Sequence, residues 1–160
     1  MSEFICGNFV LSNSAKIEEI DFYILKNALA KNFYIGFGGN VPGFPFGQEF
    51  PCDERGLHFA ITKSPSENYA DELINSWIES SQHDIKKFNK VISSSISAVF
   101  YDLFQCHLIT KITFVIGQMG DDYMTLTSQN ILIQNFSLCL AQSFHENKYS
   151  TPSKKFLISS

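Results

Sequence analysis

Apolar and polar positions recur with readable periods along most of this chain. FICGNFVL, Phe4 to Leu11, is a β-rich run that predicts a first strand. From Ser14 onward Ile17, Ile20, Ile24 and Ala28 recur at three- and four-residue steps, and Leu25 and Leu29 widen the stripe, which predicts an amphipathic helix. NFYIGFG then reads as a strand, ended by the glycines of GFGGNVPGFPFGQEFPC, Gly36 to Cys52. LHFAITK, Leu57 to Lys63, predicts a further short strand.

The next start signal is SPSE. Ser64 can cap a helix, Pro65 suits its first turn and Glu67 can reach back to complete a capping box. The helix expected from there carries Tyr69, Ala70, Leu73, Ile74 and Trp77 on one side, with Glu67, Asp71, Glu72 and Glu79 on the other. Around SSQHD it is expected to break or kink, because Ser81 and Asp84 are both acceptable new N-caps. Beyond it Ile85, Phe88, Ile92, Ile96, Val99 and Leu103 step by three and four, predicting one helix of roughly five turns.

KITFVIGQMGDDYMTLTS has the pattern of a hairpin, with two β-rich runs flanking Met119 to Asp122 and Gly120 supplying the turn. Residues Gln129 to Asn147 carry two periods at once. Leu132, Phe136, Leu140 and Phe144 step by four, yet Phe136, Leu138 and Leu140 alternate; helix is the preferred reading, capped by Ser128 or Asn130. Pro152 breaks the chain and KKFLIS is expected as an edge strand. The expected fold is α+β: a single globular domain over residues 1–160, with a mixed or mainly antiparallel sheet of four to five strands and two to three long helices packed on one face.

Composition narrows the function classes. At 160 residues the chain suits one domain with a real core. Charged residues are only 18% while phenylalanine alone supplies 16, so some aromatic surface is expected at an interface. The formal net charge is −4 and the only lysine clusters are Lys86, Lys87 and Lys90, then Lys154 and Lys155. Nucleic acid is therefore not the expected partner, since duplex binding draws on a basic patch. The N-terminal MSEFICGNFVLSNS has no basic residue and no long apolar run, which argues against a signal peptide, and no stretch has the apolar length of a membrane span. Cys6, Cys52, Cys106 and Cys139 form no CxxC pair, which fits a reduced, cytoplasmic, soluble protein.

The glycine-rich segment does not cradle a phosphate. Gly36 and Gly38 have the first spacing of a dinucleotide loop, but Val41 stands where the third glycine belongs, and Pro42, Gly43 and Pro45 forbid the helix that would receive the phosphate. No lysine follows in a Walker arrangement. Two readings of the segment stay open. Phe44, Phe46 and Phe50 either fold down on the core or project as a contact surface whose order proline and glycine set in advance.

Elsewhere His58, His83, His107 and His145 include no HxxxH or HExxH pair, so neither a metal nor another cofactor is expected. No GxSxG is present, and nothing marks one cysteine as a nucleophile. Glu67, Asp71, Glu72 and Glu79 have no cationic neighbour between Lys63 and Lys86, and they either complement the helix dipole or receive a basic partner.

Two functions of different class follow from these residues. The first is a small acidic binding and inhibitory protein of immunity (antitoxin) type, not an enzyme. It would neutralise a bacterial toxin by binding a basic toxin domain directly, through Phe44, Phe46, Phe50 and the four acidic residues. The alternative is a small enzyme or ligand-binding domain with a pocket assembled from Cys52, His58, Cys106, His107 and Tyr123. A subunit of a larger assembly, with Phe44 and Phe46 at the contact, is a third expectation.

Overall fold

The computed structural model describes residues 2–37, 56–121 and 125–160. Eleven elements follow one another along the chain: β1 (Glu3–Leu11), α1 (Ile17–Ala30), β2 (Tyr34–Phe37), β3 (Gly56–Thr62), α2 (Asp71–Ser81), α3 (Ile85–Ser93), α4 (Ile96–Gln105), β4 (Ile109–Gln118), β5 (Ser128–Leu132), α5 (Ile133–Glu146) and β6 (Lys154–Ser159). The strands form one sheet in the order β2-β3-β1-β4-β6-β5. Every pairing is antiparallel except β5 with β6. The architecture is α+β, as the patterning predicts, with a mixed sheet of six strands and five helices among the described residues.

Alternation along the strands divides the sheet into two faces. Ile5 and Phe9 of β1, Phe59 and Ile61 of β3, Ile112, Phe114 and Ile116 of β4, and Phe156 and Ile158 of β6 share one buried cluster with all five helices. Phe100 of α4 stands at its centre, edge-on to Phe9 (5.7 Å), Phe59 (6.1 Å) and Phe114 (6.2 Å). These T-shaped contacts add to what burying the rings contributes. The intervening positions Phe4, Cys6, Ala60 and Val115 form a second, smaller cluster on the opposite face, with Met119 and Leu126 against it.

Five expectations are corrected. The helix after β3 begins at Asp71, not at Ser64. Ser64 to Glu67 closes a turn, with the Glu67 amide donating to the Ser64 carbonyl (3.1 Å), while the Ser64 and Ser66 hydroxyls pair with each other. The helix start is fixed instead by β1: the Ala70 amide donates to the Glu3 carbonyl, and the Asp71 carboxylate accepts from the Glu3 amide at 2.7 Å. A tertiary contact thus outweighs a local capping signal.

The long helix expected from Ile85 is two helices, broken at Ser94 and Ser95. The hydroxyls of Ser93, Ser94 and Ser95 donate back to the carbonyls of Asn89, Lys90 and Val91, the competition with backbone bonding that bends helices. The apolar step survives the break, so periodicity alone does not reveal it. The break at SSQHD does form: Gln82 and His83 turn left-handed, and the Asp84 carboxylate caps α3 by accepting from the Lys87 amide (2.9 Å).

Among the described residues the hairpin does not form. Gly120 does turn the chain at φ 99°, but β4 is flanked by β1 and β6, and among the described residues β5 pairs with β6 alone. The Asp121 carboxylate accepts from the Gln118 amide and from the Ser153 hydroxyl, which ties this turn to the approach of β6. Consequently KKFLIS is an interior strand and not an edge. Residues 129–147 are not a single helix, and the alternation of Phe136, Leu138 and Leu140 is no strand, because all three lie within α5. β5 ends at Leu132, α5 begins at Ile133, and neither Ser128 nor Asn130 caps it. Phe136, Leu140 and Phe144 are buried while Leu138 is 44% exposed, as a helix requires.

Candidate functional site

Helix α1 lies beside β2 and leaves a groove of about 320 Å³ between them. Ile17, Asp21, Ile24 and Ala28, a stripe at steps of three and four residues, form its helical wall with Leu29 beside them. Ile24 and Ala28 reach into the core, whereas Ile17 (53% exposed) and Leu29 (49%) stay at the rim. Phe22, next on the outer side of the helix, is 73% exposed. Among the described phenylalanines eleven are buried and Phe37 is half-buried, so Phe22 stands apart. A lone exposed phenylalanine needs no explanation, but three exposed apolar side chains on one helix beside a groove make a patch suited to recognition.

The rim is acidic. Glu18, Glu19 and Asp21 are exposed in the first turns of α1, where the helix dipole favours anions. Glu19 also closes a capping box by accepting from the Lys16 amide (3.4 Å). Lys26 is the one cation within the helix.

The acidic residues read from the sequence on α2 separate into three situations. Glu67 lies in the turn before the helix and is half-buried. Asp71 is half-buried and holds the Glu3 amide. Glu72 and Glu79 are exposed, and a seven-residue spacing places them on one face. Phe44, Phe46, Phe50, Cys52 and Tyr123 lie outside the described residues. His58 is on β3 opposite Asn8 of β1, in the phase of Ala60 and Cys6 and so on the sheet face away from the helices. Cys106 and His107 are exposed just past the end of α4 on the helical side. The structure therefore does not bring His58 together with Cys106 and His107.

Among the described residues, two thiols and two phenols are shifted, all upward. Burial pushes the Cys6 thiol well up and raises that of Cys139. The Tyr23 hydroxyl is pushed far above its ordinary value, first by burial and then by its hydrogen bond to the Asp102 carboxylate and by that group's charge. Burial, with the charge of Asp84, also raises Tyr149. Each shift favours the protonated, unreactive form. Among the described residues no group of three or more His, Cys, Asp or Glu side chains could hold a metal ion. No described helix is long and apolar enough to cross a membrane.

Sequence reasoning passed over Phe22 because attention went to the stripe of Ile17, Ile20, Ile24 and Ala28. The signal was present: an aromatic residue two positions from Ile20 and Ile24 falls on the far side of a helix whose inner face is already complete. Compared with protein-family models, curated proteins and solved structures, the chain matches none.

Proposed function

We propose that this chain is an acidic binding and inhibitory protein of immunity type, acting in the cytoplasm, which neutralises a bacterial toxin by docking on a basic domain of it. The observation that carries the reading is the surface of α1: exposed Phe22, Ile17 and Leu29 beside a groove lined by Asp21, with Glu18 and Glu19 exposed on the same helix. Apolar anchors surrounded by charge of one sign are what a tight, steered interface with a basic protein needs. The exposed carboxylates of Glu72 and Glu79, with Glu67 and Asp71, add to the same negative field and speed association. Phe44, Phe46 and Phe50 belong to the proposal as further contact residues. Binding is preferred to catalysis because the shifted thiols and phenols favour their protonated form and, among the described residues, His58 lies apart from Cys106 and His107.

The test uses a basic toxin domain encoded beside this chain's gene, with affinity measured by calorimetry and protection measured by co-expression. Phe22→Ala is expected to raise Kd about 30-fold, a hot-spot loss near 2 kcal/mol, with unfolding unchanged because the ring is exposed. Reversing Glu72 and Glu79 is expected to slow association with little change in dissociation. Wild-type chain that neither binds nor protects against such a domain would sink the reading.

A further inference from the structure

We infer that a groove between α4 and α5 binds a neutral, polyhydroxylated ring of about the size of one sugar residue. This goes beyond the proposed function and does not depend on it. The groove has a volume of about 300 Å³. Ser93, the last residue of α3, lines it together with Ser97, Tyr101 and Asp102 of α4 and with Gln134 and Ser137 of α5. Ser93 and Ser97 follow at a four-residue step across the break between α3 and α4, and Ser137 meets Ser93 from α5, the two hydroxyls 3.0 Å apart. Small side chains on both walls leave the space, which larger ones would fill.

Ser97 separates this groove from a mere gap. It is only 8% exposed and lines the groove, yet among the described residues its hydroxyl has no hydrogen-bond partner. A hydroxyl so buried is costly to leave unpaired, and a ligand hydroxyl entering the groove supplies the partner. Ser137 is equally buried and is engaged by the Ser93 hydroxyl, which leaves it spare bonding capacity. Asp102 is half-buried and accepts from Tyr23 of α1, so a second helix anchors its carboxylate while lone pairs remain for a ligand.

The class of ligand follows from these groups. Hydroxyls and amides both donate and accept, and so does every hydroxyl of a sugar or cyclitol. Ligand hydroxyls can take over the hydrogen bonds that water makes to such groups, whereas an apolar ligand would strand them. Among the lining side chains Asp102 alone is charged. An anion would meet that carboxylate with no cation to offset it. A cation would find one carboxylate already engaged by Tyr23, and would leave the donors of the serines and Gln134 unused. About 300 Å³ is at the small end of ligand sites, room for one ring and not for a chain of them. Tyr101, 46% exposed, adds an aromatic face on which the C–H face of such a ring can lie.

The probes are methyl α-glucopyranoside and myo-inositol, each titrated into the isotope-labelled chain and followed by amide shifts. Inorganic phosphate and tetramethylammonium are the charged controls. At least one of the two polyols is expected to give saturable shifts at Ser97, Tyr101 and Ser137, with a Kd of about 1–10 mM. Ser97→Ala is expected to weaken that binding about fivefold, and Tyr101→Ala about tenfold. The Tyr101 side chain is exposed, so its variant reports on the groove even if Ser97→Ala disturbs α4. No saturable shift from either polyol at about 100 mM overturns the inference. Shifts confined to other residues, or undiminished binding by Tyr101→Ala, overturn it as well. Saturation of the same residues by phosphate or tetramethylammonium at lower concentration than by either polyol overturns it in favour of an ion site.

Discussion

Substituting Gly7 by alanine tests whether the centre of the sheet is as tight as it looks. Gly7 lies in the middle of β1, opposite Phe59 on β3 and Phe114 on β4. A Cβ built there would sit 1.9 Å from the Thr113 carbonyl oxygen and 2.8 and 3.0 Å from two atoms of the Phe59 ring. The ring cannot retreat, being stacked on Phe9 at 4.4 Å and edge-on to Phe100. The carbonyl is worse, because it is backbone of the adjacent strand and no rotamer change moves it. Overpacking typically costs about 1–3 kcal/mol, and a clash with main chain belongs at the upper end or above it. Alanine recovers only about 0.4–1 kcal/mol by restricting the unfolded chain. A net loss of about 2–3 kcal/mol is expected, a large share of the roughly 5–15 kcal/mol of a typical domain. Urea unfolding followed by Trp77 fluorescence and by circular dichroism gives the value. The loss should persist in a Phe59→Leu background, which eases the ring contact but not the carbonyl contact. A loss under about 1 kcal/mol at unchanged m-value would refute the close approach of β1 to β4.

Two further outcomes can be checked on the same material. Asp84→Ala should destabilise by about 0.5–2 kcal/mol through loss of the α3 cap, while Ser64→Ala should be nearly silent in the same urea assay; the reverse ranking would restore a helix start at Ser64. Native-state alkylation mapped by mass spectrometry should modify exposed Cys106 ahead of Cys6 and Cys139. Because burial raises Cys6, the folded chain keeps a proton that the unfolded chain releases above about pH 8.5. Its contribution is complete below that pH and declines above it by up to about 1.4 kcal/mol per pH unit, so Cys6→Ala should flatten the alkaline limb of stability against pH.

What could be read from the sequence was what short-range physics decides. The alternation of Phe4 to Leu11, the stripe of Ile20, Ile24 and Ala28 and the Asp84 cap each depend on residues a few positions apart, and each forms. Ser64 failed as a cap because the amide and carbonyl of Glu3, more than sixty residues earlier, hold Ala70 and Asp71. The hairpin failed for a similar reason. Gly120 makes a good turn, but β1 and β6 occupy both sides of β4. The serine run ending at Ser95 carries its own breaking signal, masked by the apolar step of Ile92 to Ile96. For the candidate site, Phe22 was legible as an aromatic off the stripe. The groove was not, since it exists only because pairing with β3 leaves β2 at the end of the sheet.

The position of β1 between β3 and β4 has a kinetic consequence. Pairing Glu3 with Gln118 closes a loop of about 115 residues before the ladder returns anything. The closure entropy grows only slowly with such length, but refolding rates fall steeply when pairing is this remote, so slow refolding is expected alongside ordinary stability. Amide exchange should then be graded across the sheet. The protons of Ile5 to Phe9 should exchange only through global unfolding, and those of β2 and β5 through shallow local opening. The chain can thus open at the outer strands while the strand that organises the sheet stays closed.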